Sequence, residues 1–299
     1  MSAWNQSLDA AGIRDPQLRS DYDAQRALVA HARRTAYLAA RLLLPRSLLP
    51  HVVAATAVMD HGDNLLDSGP EALRFAAWAA WEQQVRKGLD SGVSDDPLVR
   101  TLVHSAAAHP RLREAVESYL CTATAELECD RFASEADYQA YLDAYSLPAF
   151  MLVGVLLGPD TDTAPFRAAC RTLIDGSQRL DFVNDLAEDL REGRIGISDE
   201  ALARHAVTLE DLAAGRVPAG LAELVSHQVA AARASLAAAR ELPALTTAPG
   251  RVLLTALVDM ELLTAKAVLA RGPRLLHGSA SPSPVAALRV LMSARRRKA

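Results

Sequence analysis

The sequence predicts an all-α protein that folds as a single-domain helical bundle over residues 1–299. Hydrophobic residues make up 50% of the chain and aromatic residues only 5%, and the strong helix formers alanine and leucine dominate. Apolar positions recur every three or four residues along most segments, and no segment alternates with the period of two that a strand shows. No internal repeat or low-complexity linker divides the chain, so we expect one hydrophobic core.

Proline and glycine mark where the predicted helices begin and end. Pro45 stops the first helix, Pro110 separates two central helices, and Gly193 and Gly272 follow the ends of two later ones. Pro148 falls inside a helical pattern and predicts a kink there. The predicted helices cover about residues 21–44, 47–67, 71–89, 97–108, 111–132, 135–157, 164–191, 199–205, 208–214, 217–240, 250–271 and 283–295.

Charge and composition argue against several classes of protein. The formal net charge of −4 gives no support for a nucleic-acid partner. The one basic cluster, residues 295–298, is interpreted as a solvated helix end, with weak peripheral contact to a membrane as the alternative. The longest apolar stretch, residues 147–158, is shorter than the ~20 residues of a transmembrane helix. Cys121, Cys129 and Cys170 lack the spacing of a metal site, so we expect thiols in a cytoplasmic protein.

Two acidic stripes are the most informative feature of the chain. Asp63 and Asp67 form the first stripe, and Asp181, Asp185 and Asp189 form the second, both on segments predicted to be helical. Residues four apart lie on one face of a helix, where like charges cost about 0.2–0.5 kcal/mol per pair. A divalent metal would offset this repulsion, and carboxylate oxygens are donors that Mg²⁺ prefers. The stripes therefore predict a Mg²⁺ cluster that also binds substrate phosphates, although either stripe alone could be a solvated charged face.

Residues around both stripes resemble motifs of a known family. The segment Gln178–Arg194 is similar to the start of Q-x-x-N-x-x-R-D-x-x-x-D-x-x-x-G-R-x-Y-L-P, the second acidic motif of the squalene/phytoene synthase family. Residues 63–67, read as D-N-L-L-D, resemble the D-D-x-x-D of that family. Residues 37–45 resemble its F-x-x-A-x-x-L-L-P opening, and the resemblance extends from about residue 30 to 290.

The resemblance implies an isoprenoid-synthase type of helical bundle that encloses a central apolar cavity. Family members use Mg²⁺ to ionise prenyl diphosphates and join two of them head to head. A cluster of two or three Mg²⁺ ions is therefore implied, whereas no Gly-rich fingerprint indicates NADPH. The implied metal ligands are Asp63, Asp67, Asp185 and Asp189, with Asp60 as a candidate additional ligand and Asp181 assisting in catalysis.

The resemblance also assigns residues to the diphosphate and to the hydrocarbon chain. The diphosphate-binding residues would be Arg34, Gln178, Asn184 and Arg194. The substrate tunnel would be lined by Tyr37, Phe150 and Met151. Prenyl diphosphates are thus the expected partners, and the sequence says nothing about the oligomeric state.

Several residues depart from the family pattern at positions that concern the second substrate. Asp60 stands where the family has an arginine that is expected to bind one of the two diphosphates. At five further places this chain has a different residue from the family: Asp181 where the family has Asn, Asn184 where it has Arg, Gly196 where it has Tyr, Ser198 where it has Pro, and Phe150-Met151 where it has Ala-Gly. The chain also lacks the tyrosine that the family usually carries near residues 259–261. Two reactions stay open: head-to-head condensation of two prenyl diphosphates, or cyclisation or transfer of one prenyl cation. A non-catalytic binding or assembly factor on the same fold is the alternative to an enzyme.

Overall fold

Helices supply the regular secondary structure of the described part of the chain. The computed structural model describes residues 2–129, 131–161 and 163–298, and no strand occurs within these ranges. The all-α prediction is confirmed.

The helices before residue 142 follow one another through short turns. They are α1 (Ala3–Ala10), α2 (Pro16–Ala32), α3 (Arg34–Leu43), α4 (Leu49–Asp67), α5 (Glu71–Ser91), α6 (Pro97–Ala108), α7 (Pro110–Thr122) and α8 (Glu135–Tyr141). Side-chain caps and first-turn prolines start several of them. The Asp15 carboxylate accepts a hydrogen bond from the N–H of Leu18 at 2.8 Å, and Asp96 accepts one from Val99 at 2.9 Å. These caps satisfy N–H groups that a helix start leaves without partners.

The remaining helices carry the second acidic stripe and the walls around it. They are α9 (Leu147–Leu157), α10 (Ala164–Asn184), α11 (Leu186–Arg191), α12 (Asp199–Arg204), α13 (Leu209–Ala213), α14 (Leu221–Ala238), α15 (Ala248–Arg271) and α16 (Pro284–Lys298). Short 3₁₀ segments follow α7, α14 and α15 at Ala123–Glu126, Ala239–Leu245 and Gly272–His277.

The two acidic stripes lie on central helices of the bundle. α4 packs against α2, α6 and α9, and α10 packs along α14 and against α15. The first turns of α4 are buried, and Ala54 and Ala55 have no exposed surface. The last turns of α4 carry Asp63 and Asp67, which are only partly buried. Burial of apolar side chains therefore anchors the start of this helix and holds its charged end in place.

Two long predicted helices are interrupted in the structure. The predicted helix over 21–44 is divided at Arg33, whose φ of −120° and ψ of 51° are not helical. The predicted helix over 164–191 is broken at Asp185, with φ of −93° and ψ of 9°. Neither residue is a helix breaker by type. Arg33 pairs with Asp60 at the first break, and the second break falls within the second acidic stripe.

Other boundaries also differ from the prediction. The predicted helix over 111–132 includes Asp130, which lies outside the described residues. Within the described residues α7 ends at Thr122, and a 3₁₀ segment follows. Helix α1 was not predicted, although Ser2 caps it by accepting a hydrogen bond from the N–H of Asn5 at 3.1 Å.

The helical run Glu135–Leu157 contains a π-helical turn at Leu142–Ser146, directly before Pro148, where the sequence predicts a kink. Proline has no N–H to donate to the preceding turn, so regular α-helical bonding is disturbed there. This 23-residue run has the length and hydropathy of a membrane-spanning helix, but 61% of its most apolar window is buried inside the protein. Packing in the core accounts for its apolar character.

Candidate active site

The last turns of α4 place the first acidic stripe beside an arginine. Asp63 accepts a hydrogen bond from the hydroxyl of Tyr145 at 2.5 Å, and its carboxylate lies 3.6 Å from the guanidinium of Arg33. Asp60, one turn earlier, is bound by the same guanidinium at 2.5 Å. Asp60 is thus one half of an ion pair with Arg33.

The second acidic stripe crosses the break between α10 and α11. The N–H of Asp185 donates to the carbonyl of Asp181 at 2.8 Å, and the N–H of Asp189 donates to the carbonyl of Asp185 at 3.0 Å. Hydrogen bonds from residue i to residue i−4 therefore continue through the break. The three aspartates therefore stay one turn apart across the break.

The two stripes line one wide opening, which we call the acidic funnel. It has a volume of about 900 Å³, with Asp63 and Asp67 on one wall and Asp185 and Asp189 on another. Four further carboxylates belong to its lining: Glu71, Glu126, Glu188 and Glu192. Residues that lie far apart in the sequence are thereby brought to one anionic surface.

Burial and mutual repulsion favour protonation of these carboxyl groups. Burial is the main cause that raises the pKa of Asp63 to about 6. It also raises the pKa of Asp189 to about 7, with the charge of Asp185 as the next cause. The pKa of Glu126 rises to about 7, again chiefly through burial. A cation in the funnel would relieve this repulsion and favour the ionised forms.

The donor set fits Mg²⁺ only together with a phosphate ligand. Among the described residues, no three His, Cys, Asp or Glu side chains converge into a ready-made metal site. The funnel offers carboxylate oxygens around an open space. Mg²⁺ is commonly held in this way, by one or two carboxylates plus substrate phosphates, and seldom by a closed protein cage. Asp63, Asp67, Asp185 and Asp189 therefore suit ions that arrive with a diphosphate.

Arg194 connects the two walls of the funnel. Its guanidinium lies 3.0 Å from Asp67 and 2.8 Å from Glu192. Arg34, in contrast, is exposed on α3 and forms no ion pair within the described ranges, while its neighbour Arg33 holds the place beside the first stripe. The phosphate role predicted for Arg34 therefore fits the position of Arg33 better.

Gln178 and Asn184, both predicted to bind diphosphate, lie in different surroundings. The hydroxyl of Ser146 donates to Oε1 of Gln178 at 3.1 Å, next to the first stripe. Asn184 uses both ends of its amide on one backbone segment: its Nδ2 donates to the carbonyl of Ala280 at 3.2 Å, and the N–H of Ala280 donates to its Oδ1 at 2.7 Å. Asn184 thus holds the segment before α16 against α10, and its contact with diphosphate stays a prediction.

A second space, the apolar cavity, lies among α3, α4, α9 and α15 and has a volume of about 320 Å³. Aliphatic side chains form most of its wall. Of the three predicted tunnel residues, Tyr37 and Phe150 line it, whereas Met151 is 3% exposed and packs in the core. Arg33 and Glu261 are the charged residues of the described lining.

Asp181 on α10 and Glu261 on α15 carry two carboxyl groups close enough for the charge of Glu261 to affect Asp181. Asp181 is exposed on one side of α10, although packed protein surrounds its carboxyl group on the other sides. Burial raises its pKa to about 8, and the charge of Glu261 is the next largest cause. Burial raises the pKa of Glu261 to about 7. Both positions depart from the family pattern, so this pair of acids is a distinguishing feature of the chain.

A third space, the aromatic pocket, opens from the funnel and has a volume of about 230 Å³. Its rings are those of Phe132, Tyr141, Tyr145 and Phe182. Glu126, which no sequence pattern indicates, lines both the pocket and the funnel and accepts a hydrogen bond from the Tyr141 hydroxyl at 2.5 Å. Glu126 stands in a short 3₁₀ segment without a repeating pattern, so its spacing gives no signal.

The chain is similar to known proteins over most of its length. The family model described as squalene/phytoene synthase matches residues 29–288. The bifunctional protein CrtB/UppS of Streptomyces coelicolor is 28% identical over 222 residues, which are 73% of this chain but only 38% of that protein. A phytoene synthase of Thermus thermophilus is 27% identical over 212 residues, which are 70% of each protein.

A solved structure shows the same fold. Squalene synthase HpnC from Alicyclobacillus acidocaldarius matches with a TM-score of 0.74 and 22% identity, over 90% of this chain and 99% of that one. The family match covers most of the chain and includes both acidic stripes. The chain therefore belongs to the squalene/phytoene synthase family, whose members are prenyltransferases.

Proposed function

We propose that this protein is a Mg²⁺-dependent enzyme that ionises a prenyl diphosphate and transfers the prenyl group. The position of Arg33 carries the proposal. This residue lines the apolar cavity and pairs with Asp60 and Asp63 beside the acidic funnel. A prenyl diphosphate would lie with its chain in the cavity and its diphosphate at the funnel, so that its C1–O bond spans the boundary between them.

The acidic funnel would hold the charged end of the substrate. Asp63, Asp67, Asp185 and Asp189 bind Mg²⁺ together with diphosphate oxygens in this proposal. Bound metal ions act as Lewis acids that neutralise the charge of a departing diphosphate. Arg194 lies 3.0 Å from Asp67 and can exchange that carboxylate for a phosphate oxygen, which supports a role in diphosphate binding.

The apolar cavity would protect the reactive end of the prenyl chain. Its aliphatic wall lies beside Tyr37 and Phe150, and it offers few hydrogen-bond partners for water. Exclusion of water prevents premature capture of an allylic cation. The same wall favours binding of the hydrocarbon chain through burial of apolar surface.

Two acceptors of the prenyl group are considered. Head-to-head condensation with a second prenyl diphosphate is supported by membership of the family. Transfer to a different molecule is supported by the carboxylate of Asp60 at the position of a diphosphate-binding arginine. The relatives named above are not described as terpene cyclases, so the cyclisation alternative has no support from them.

The first experiment measures diphosphate release from C10, C15 and C20 prenyl diphosphates with and without Mg²⁺, with products identified by mass spectrometry. An Asp185→Asn variant should lose most of the release, because it removes a metal-binding charge. Asp95→Asn is the matched control, because Asp95 is exposed in a loop outside the funnel.

Absence of release at all three chain lengths, from folded protein with Mg²⁺ present, would contradict the proposal. The non-catalytic alternative is then tested by thermal denaturation. A binding factor for prenyl diphosphates should be stabilised by them, whereas an assembly factor that does not bind them should show no shift.

A further inference from the structure

The aromatic pocket lies next to the proposed reaction centre and differs in chemistry from the apolar cavity. It shares Asp63, Asp67 and Asp189 with the acidic funnel, so its contents would lie close to the diphosphate. Aliphatic side chains line most of the apolar cavity, whereas rings and hydrogen-bonding side chains line the pocket. The two spaces therefore suit two different kinds of molecule.

The rings of the pocket form one connected wall. The ring centroids of Phe132 and Tyr141 lie 5.3 Å apart, those of Phe132 and Phe182 lie 5.8 Å apart, and those of Tyr141 and Tyr145 lie 5.6 Å apart. The hydroxyls of the two tyrosines are fixed by Glu126 and Asp63, each at 2.5 Å. Phe132 and Tyr145 are almost fully buried, whereas Tyr141 and Phe182 keep accessible surface that can stack on a planar ligand.

Gly196 makes this wall specific to the chain. A Cβ atom on Gly196 would lie 2.0 Å from Cγ of Phe182, so no larger residue fits while the Phe182 ring keeps its position. The family motif has tyrosine at position 196. In this protein the ring of Phe182 occupies the space where that tyrosine side chain would begin.

Polar groups among the rings disfavour a second prenyl chain in the pocket. The Oε1 atom of Gln178 accepts from Ser146 at 3.1 Å, while its amide NH₂ has no partner among the described residues. Covering that amide with hydrocarbon would leave its N–H groups without acceptors. A ligand that itself carries hydroxyl, amino or carbonyl groups would satisfy them.

The volume limits the size of such a ligand. A cavity of about 150 Å³ binds benzene. The aromatic pocket, at about 230 Å³, therefore suits a molecule of one or two fused rings. A C15 or C20 chain would not be enclosed by it.

We propose that the aromatic pocket binds the acceptor of the prenyl group, a compact aromatic nucleophile with one or two rings and at least one hydrogen-bonding substituent. This inference rests on the proposed function and deepens it by naming the second substrate class. The C1–O bond of the prenyl diphosphate breaks, and its electron pair leaves with the diphosphate. A ring carbon of the acceptor supplies the electron pair of the new bond to C1, and the proton lost from that carbon passes to the released diphosphate.

The decisive measurement is a binding stoichiometry on the full chain. Farnesyl thiolodiphosphate, an analogue that resists ionisation, is titrated with Mg²⁺ in the presence and absence of 2-naphthol, a two-ring phenol used as the probe. The proposal expects one farnesyl analogue per chain, with 2-naphthol bound at the same time. Farnesyl diphosphate and 2-naphthol together should then give a product with the mass of farnesylated naphthol.

A variant locates the probe in the pocket. Phe182→Leu should weaken 2-naphthol binding about 2- to 10-fold through loss of ring stacking, while binding of the farnesyl analogue stays the same. Phe75→Leu makes the same chemical change on α5, where the ring is 64% exposed, and should alter neither affinity.

Three outcomes would overturn the inference. Two farnesyl analogues per chain, the second displacing 2-naphthol, would show that the pocket serves a second prenyl chain. Release of diphosphate from farnesyl diphosphate without binding or prenylation of 2-naphthol would refute the aromatic acceptor while leaving the proposed function intact. Absence of Mg²⁺-dependent release would refute the proposed function and this inference with it.

Discussion

Replacing Glu261 by glutamine should stabilise the metal-free protein, and the gain should grow with pH. Burial raises the pKa of Glu261 from 4.5 to about 7 in the folded protein. A group with a raised folded-state pKa contributes stability that is complete below its unfolded pKa and is lost as pH rises through the folded value. Glutamine keeps the side chain neutral at every pH, so it removes this loss.

The magnitude follows from the two pKa values. The difference between 4.5 and about 7 corresponds to about 3 kcal/mol above pH 8. Because the side chain keeps some accessible surface, we expect about 2 kcal/mol after solvent screening. For a chain of this size that equals a rise in Tm of about 4 °C at pH 8, and less than about 2 °C at pH 5.

The assay is thermal denaturation of the Glu261→Gln variant and the parent protein in EDTA at pH 5 and pH 8. Glu241→Gln is the control, because Glu241 is exposed and lines none of the three spaces. Equal Tm differences at the two pH values, or a less stable variant at pH 8, would refute the reasoning. The variant should also lower the pKa of Asp181, because Glu261 is the largest charge that raises it.

Three further predictions concern the site and its supports. In the presence of inorganic pyrophosphate, Mg²⁺ should raise the Tm, and Asp185→Asn should increase the Mg²⁺ concentration at half of this rise by about 10- to 100-fold. An unchanged half-maximal Mg²⁺ concentration would exclude Asp185 as a ligand. Gly62→Ala places a Cβ 2.4 Å from the Tyr119 hydroxyl and should lower the free energy of unfolding, measured by chemical denaturation, by about 1–3 kcal/mol. A loss below about 0.5 kcal/mol would show that the Tyr119 side chain moves aside easily. Asn184→Ala removes both hydrogen bonds to Ala280 and should lower the free energy of unfolding by about 1–3 kcal/mol, with faster protease cleavage of residues 278–283. Unchanged cleavage would show that these hydrogen bonds do not hold the segment in place.

Local patterns in the sequence were sufficient for the fold class and for the main acidic residues. The three-to-four-residue apolar period depends only on helix geometry, and it predicted an all-α protein that the structure confirms. The spacing of Asp63 and Asp67, and of Asp185 and Asp189, likewise follows from residues that are close in the chain. Resemblance to the squalene/phytoene synthase family rested on these same segments, and the family match confirms it.

Contacts between distant segments could not be predicted from the sequence. Arg34 was expected at the diphosphate, whereas its neighbour Arg33, at the break between α2 and α3, pairs with Asp60. Asn184 was expected at the diphosphate, but its amide is taken up by the backbone of Ala280, which is 96 residues away. Such pairings leave no periodic signal along the chain.

The sequence by itself determined the helical fold class, the two acidic stripes and the family, because each of these depends on residues within a few turns of one another. Only the tertiary structure decided the partners of the stripes and the shapes of the three spaces between the helices. Phe182 contacts Gly196, and Glu126 contacts Tyr141, because separate segments pack together. The secondary-structure propensity of each segment carries no information about which residue it will contact. The physical reason is that side-chain packing selects among arrangements that hydrophobic periodicity alone leaves nearly equal in free energy.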